Sequence, residues 1–171
     1  MRLVAQVEAM QTIYNDISFD LILRLALAIL AGTTLGLNRW LHHKSAGIRT
    51  HSLVAIGAAV AMLMIDTHTG SDAQSHSRVL QGLVTGIGFL GAGVIIRDNS
   101  SRRIHGLTTA ASLWACALLG AAFGAGQIAL GLIALITILL TLLLGGRLES
   151  FIGRLFGHGQ DSRQNSDTDS N

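Results

Sequence analysis

The chain has 171 residues, of which half are hydrophobic and only 13% charged, and its mean hydropathy of +0.51 exceeds what a single water-soluble core of this size requires. A formal net charge of +2 is too small to point to nucleic acid, and the basic residues gather at the ends of apolar stretches. With 20 glycines, no proline and 5% aromatics, the composition suits straight helices packed through small residues better than a barrel of alternating strands.

Residues 1–18 are mixed and weakly apolar, with Glu8, Asp16 and the single basic residue Arg2, and show no small-residue cleavage pattern. No removable signal peptide is expected, and the segment reads as extracytoplasmic. The first span runs from Phe19 to Leu37, interrupted by Arg24, and the second from about His51 to Asp66. The third lies between Arg78 and Arg97, where eighteen uncharged residues match the roughly 17–25 helical residues that cross a hydrocarbon core. Glycines stud it at Gly82, Gly86, Gly88, Gly91 and Gly93, and span one carries Gly32 and Gly36 at the same four-residue spacing. Such faces bring helices into close contact, so the third span is expected at the centre of the bundle, and both faces suit self-association. Gly86-Ile-Gly88-Phe-Leu-Gly91 also satisfies the dinucleotide fingerprint, but it opens no helix after a strand, and no acid falls between Ile104 and Gly124 to hold a ribose. Helix packing is the reading it supports.

The fourth span covers Leu107 to Gly124 and the fifth Gln127 to Leu144. The lone cysteine, Cys116, allows no internal disulfide and reads as a packing thiol. Beyond the spans of residues 19–145, residues 146–156 put Leu148, Phe151, Ile152, Leu155 and Phe156 on one helical face. Two readings stay open there: an amphipathic helix on the membrane surface, or a continuation of span five. Residues 157–171 are polar and are expected to be a disordered tail. The fold expected is all-α, a polytopic membrane protein with five transmembrane helices.

Loops 38–50 and 97–106 each carry three Lys or Arg residues, whereas loop 67–78 has only Arg78 and the turn after span four has none. By the positive-inside rule the amino terminus is expected outside, and the basic loops and carboxyl terminus in the cytoplasm. A weak repeat at an offset of 54 places Arg24, Gly32, Arg49, His51, Leu53 and Ala61 on Arg78, Gly86, Arg103, His105, Leu107 and Ala115. Duplication and chance are both open explanations.

A charge at mid-span costs about 2.5–3.5 kcal/mol on insertion scales, so Arg24 needs a reason. Either it snorkels to the outer surface, or it pairs with Asp66 in an outer polar cluster that includes Arg78 and Gln81. The inner side collects Asn38, Arg39, Arg49, Thr50, Arg97, Arg103, Thr108 and Thr109, with His51 and His105 beside two of the arginines. Positive-inside topology accounts for some of these, and a site for lipid phosphate or an acidic partner segment is the functional alternative. Two histidines without a nearby carboxylate make a poor metal site, so neither metal nor cofactor is expected. The hydroxyls of span four, with Trp114, read as helix glue and packing. No nucleophile, base and acid fall together, and no enzyme is expected.

The runs AGIRTHSLVAIGAAVAML (46–63), RVLQGLVTGIGFLGAGVIIRD (78–98) and GLTTAASLWACALLGAAFGAG (106–126), with Arg24 and Gly-Leu-Asn-Arg at 36–39, resemble the MgtC/SapB family of bacterial inner-membrane proteins. The resemblance covers about residues 20–145 and implies a five-helix inner-membrane protein tied to magnesium limitation, acid stress and virulence. It implies a regulator of other membrane machinery, including the proton-driven ATP synthase, with a magnesium transporter as the alternative. The family's polar signature falls on Arg24, Arg39, Arg49, Thr50, Arg78, Arg97, Thr108, Thr109 and Trp114. Asn38 stands where the family commonly has an acid, which places any role of that acid in doubt. The family's namesake carries a soluble carboxyl-terminal domain, whereas this chain stops after a short polar tail, so regulation through such a domain is not expected. Magnesium favours oxygen ligands and the span-level charges are mostly arginines, so a regulator of a membrane protein or lipid partner is preferred to a transporter built from an oligomer.

Overall fold

With no proline to interrupt it, the first apolar stretch continues as one helix until the backbone itself turns. Helix α1 spans Arg2–Leu41 and stops where His43 adopts a left-handed conformation, φ 52°. There the Lys44 amide bonds back to the Arg39 carbonyl and the His43 amide to the Trp40 carbonyl, the paired closure of a Schellman motif. Helix α2 (Ile48–His68) returns, α3 (Ala73–Val94) follows, and strands β1 (Ile96–Arg97) and β2 (Ile104–His105) form a two-residue antiparallel ribbon. Helices α4 (Leu107–Gly124) and α5 (Ile128–Phe156) complete the chain. The computed structural model describes residues 2–68, 73–97 and 104–156, with side chains described in 19–65, 73–95, 104–148, 150–153 and 155. The tail expected at 157–171 lies outside the described residues.

Five helices among the described residues are long and apolar enough to cross a membrane, and the chain is an all-α, multi-pass membrane protein. Span four has its expected bounds, while span three starts earlier and ends three residues sooner because Ile96 and Arg97 pair with His105 and Ile104. Helix α5 passes through Gly145 and Gly146 without a break, so residues 146–156 belong to the same helix as span five.

Met1–Leu135 and Ile136–Asn171 form two units. In the first, α2 packs most extensively on α1 and next on α4, α1 also reaches α4, and α3 rests chiefly on α4. The expectation that span three is the centre is corrected here: 56% of α4 is buried, against 11% of α3. Nothing lies within 4 Å of where a Cβ would stand at Gly82, Gly86, Gly88 or Gly93, and Phe89 is 84% exposed. Only Gly91 of the set meets a neighbour, Ala110 Cβ at 3.7 Å. The glycines that draw helices together are Gly32 and Gly36 on α1, and Gly120 and Gly124 on α4. A Cβ at Gly32 would lie 2.7 Å from Ser52 Cα, one at Gly36 2.5 Å from Ile48 Cα, and one at Gly124 2.7 Å from Ala59 Cα. Real Cβ atoms do not approach so closely, so α2 is gripped by a glycine pair from each side, with the backbones in van der Waals contact. Two glycines on one helix permit such approach, but which helix accepts it depends on the partner's small residues, here Ala55 and Ala59.

In the second unit α5 carries Ile136, Leu140, Leu143 and Leu144 exposed, as a lipid-facing helix does, and Thr141, Arg147 and Ser150 bond back four residues to their own helix.

Candidate functional site

Two polar centres occupy opposite ends of the first unit. At one end α4 closes with a second Schellman motif: Gly126 is left-handed at φ 72°, its amide bonds to the Phe123 carbonyl, and the Gln127 amide to the Ala122 carbonyl. That closure leaves the Gly124 carbonyl for another donor, and Arg24 Nη1 supplies it at 3.1 Å. Arg24 Nη2 meets Asp20 Oδ2 one turn earlier on α1, at 2.8 Å. A Cβ at residue 126 would stand 3.0 Å from the Arg24 guanidinium carbon, so glycine serves both the turn and the arginine's approach. The intramembrane cation thus sits on the negative end of the α4 dipole, which gives Arg24 its structural reason.

Of the other residues expected in this outer cluster, Arg78 is exposed near the start of α3, and Gln81, also exposed, accepts Thr85 Oγ1 at its carbonyl, 2.8 Å. Asp66 belongs to α2, and its side chain lies outside the described residues.

At the other end, the last turn of α1, the first turns of α2 and the first turns of α4 meet. Gly106 starts α4 with φ 92° and no side-chain cap, and its missing Cβ makes room for the Val94 carbonyl as the chain crosses from α3. Thr109, in the first turn, accepts a hydrogen bond at Oγ1 from Arg39 Nη2 at 2.9 Å, and both residues are buried. The Arg39 Nε is buried with no hydrogen-bond partner. The one described acid, Asp20, stands on the same helix nineteen residues away, about 28 Å along its axis, and is engaged with Arg24. Arg39 is therefore a buried cation held by a neutral hydroxyl.

Beside it, His51 is fully buried, with Nδ1 3.0 Å from the Gly47 carbonyl and Nε2 3.0 Å from Ser112 Oγ. Ser112 Oγ also lies 2.8 Å from the Thr109 carbonyl, and Cys116 Sγ donates to the His51 carbonyl at 3.1 Å. A carbonyl only accepts, so Nδ1 carries a proton. With a neutral ring the Ser112 hydroxyl donates to Nε2, and with a doubly protonated ring it turns to the Thr109 carbonyl. Both arrangements use the same heavy-atom positions. A further bond, Thr33 Oγ1 to Ser52 Oγ at 3.0 Å, joins α1 to α2 nearby. These groups tie three helices through polar contacts in an apolar setting, where an unmade hydrogen bond is costly.

Arg39 and Thr109 are the two expected inner-side residues that the fold brings into contact. Arg49, Thr50 and Thr108 are exposed, and Asn38 is half-buried with its carbonyl 2.7 Å from His42 Nδ1. Arg97 belongs to β1, with its side chain outside the described residues, and Arg103 lies outside them altogether. Residues matched by the weak repeat stand in different settings, since His51 is buried in α2 while His105 is exposed in β2, and Gly32 packs while Gly86 does not. His51, Ser112 and Cys116 complete the network. The sequence signal for them is weak: a histidine within an apolar helix and a serine 61 residues on. Among the described residues no group of three or more His, Cys, Asp or Glu side chains could hold a metal ion.

A family model described as the MgtC family matches residues 25–151. The chain is similar to Protein SrpB of Synechococcus elongatus, 44% identical over 130 residues that cover 70% of this chain and 71% of that protein. It is similar to Protein MgtC of Salmonella typhimurium, 46% identical over 121 residues, covering 71% of this chain and 50% of the relative. Protein MgtC of Brucella abortus is 41% identical over 115 residues, covering 67% and 47% respectively. The chain thus spans about half the length of the MgtC relatives it matches. No solved structure matches it.

Proposed function

The chain belongs to the MgtC family, and on that premise we propose that it is an accessory or regulatory protein of the bacterial inner membrane, acting on another membrane protein or an anionic lipid during magnesium limitation and acid stress. The observation that carries this reading is the character of the buried polar centre. Arg39 sits among Thr109, Ser112 and His51, a cationic and hydroxylic environment. A magnesium path calls for carboxylates and other oxygen ligands, whereas a buried arginine repels a divalent cation. The centre is better suited to holding α1, α2 and α4 in one arrangement that a partner reads from the basic loops, which we place on the cytoplasmic side. We read no catalytic role in it. On the family resemblance alone, the proton-driven ATP synthase is the first partner to test. Longer family members carry segments that this chain does not match, so partner and signal are part of the proposal.

One observation favours a second reading: α3 leaves most of its surface uncovered in the single chain, which is compatible with an oligomer whose pore lies between subunits. Magnesium flux into liposomes, with an imposed membrane potential, separates the two. The expected result is no saturable flux from well-inserted protein. Saturable flux that Arg24→Ala or Arg39→Met abolishes would establish transport and overturn the regulatory reading.

A further inference from the structure

Helix α3 leans on α4 and touches α2 only sparingly, so a groove opens between α2 and α3. Its main part, about 680 Å³, is lined by Leu53 and Gly57 on α2 and by Gly82, Gly86 and Leu90 on α3, with Ala117 of α4 also in the lining. A second part of about 510 Å³, lined by Ala61, Met64 and Ser75, shares Arg78 and Val79 with the first. Gly57, Gly82 and Gly86 have nothing within 4 Å of a would-be Cβ, so in this chain they widen the groove. Among the described residues Arg78 is the one charged residue in the lining of either part, and it is exposed.

From Arg78 to Leu90 is twelve residues of helix, about 18 Å, and one leaflet contributes roughly 15 Å of the hydrocarbon core. The groove therefore has the depth of one acyl layer, apolar along its length, with a cation near the level where a lipid phosphate lies. Apolar walls over the depth of one leaflet, with a cation at the headgroup end, match the two parts of an anionic lipid, an acyl chain and a phosphate. We infer that the α2–α3 groove binds one acyl chain of an anionic phospholipid whose phosphate rests on Arg78. This assignment stands apart from the regulatory reading, because lipid retention is measured without any protein partner.

The test is native mass spectrometry of the purified full chain, offered equal amounts of palmitoyl-oleoyl phosphatidylglycerol and phosphatidylcholine. One phosphatidylglycerol per chain is expected, retained about five-fold over phosphatidylcholine, the preference that one arginine's attraction to an anionic headgroup supplies. Arg78→Gln should erase the preference and Arg78→Lys keep it. Gly82→Leu, and from the other wall Gly57→Leu, should remove the retained lipid, whereas Gly93→Leu, on α3 but outside the lining, should not. All three glycine positions have open space, and equal thermal unfolding of the variants confirms that groove filling, not unfolding, is being read. Equal retention of both lipids, or lipid unaffected by Gly82→Leu and Gly57→Leu, overturns the assignment. A dimer in the same spectra that Gly82→Leu dissociates would give the groove to a second copy and overturn it equally.

Discussion

Arg39 and Thr109 show how a single hydroxyl decides what a buried charge costs. The guanidinium has one hydrogen bond, to Thr109 Oγ1, and an unpartnered Nε, and no described acid is near it. Thr109→Val removes that bond while leaving the charge in place, and should lower stability by about 1–3 kcal/mol. Arg39→Met removes the charge and keeps much of the volume, so its stability should stay within about 1 kcal/mol of the parent or rise, because a buried ion replaced by an apolar side chain is often neutral or stabilising. Added to Thr109→Val, Arg39→Met should restore most of the loss. Thermal unfolding of the four proteins in detergent gives the coupling as a double-mutant cycle. Additive losses would show that the pair does not act as a unit. Both residues could be picked out from sequence as members of an inner-side polar group. Their contact could not, since it joins positions 70 residues apart.

Helices are held here by glycine, and which glycines do so is a question of partners. Gly120→Ala drives a Cβ into the Ala55 backbone, and Gly124→Ala drives one to 2.7 Å from Ala59 Cα. Each should separate α2 from α4 and cost on the order of 1–3 kcal/mol, the range of an overpacked contact. Gly86→Ala and Gly93→Ala meet nothing, and should be neutral or stabilise by about 0.5–1 kcal/mol through the alanine preference of helices. Unfolding midpoints of the four variants check the ordering, and a larger loss at Gly86 than at Gly120 would place the tighter glycine packing on α3 after all. Counting glycines marks α3 as the crowded helix because it carries more of them. The count misses that α2 offers alanines and backbone to α4, which itself carries only two glycines within its apolar run.

For the whole molecule, the two polar centres define two ends: Arg39, His51 and Thr109 at one, Arg24 and Gly126 at the other. The loop holding Lys44 and the turn holding Gln127 should therefore face opposite sides of the membrane, with Lys44 inside by the charge of its loop. Lys44→Cys and Gln127→Cys, each in a Cys116→Ala background, test this with an impermeant thiol reagent on intact cells. Labelling is expected at residue 127 alone until the membrane is opened, and the reverse pattern would invert the proposed orientation.

Hydropathy alone determined that five stretches among the described residues are helices long and apolar enough to cross a membrane, because desolvating a backbone leaves few other solutions and each span must be about as long as the hydrocarbon core. It also marked Arg24 as a residue needing a reason, since a charge in a span is costly wherever it lands, and placed Arg39 in a basic loop at the inner side. Only the tertiary structure decided what that reason is, the free carbonyl left by the α4 turn, and that Arg39 is buried against the Thr109 hydroxyl. It likewise decided that α4 rather than α3 is central, and that residues 146–156 continue α5. These outcomes depend on which surfaces face each other across tens of residues, and local periodicity carries no information about that pairing.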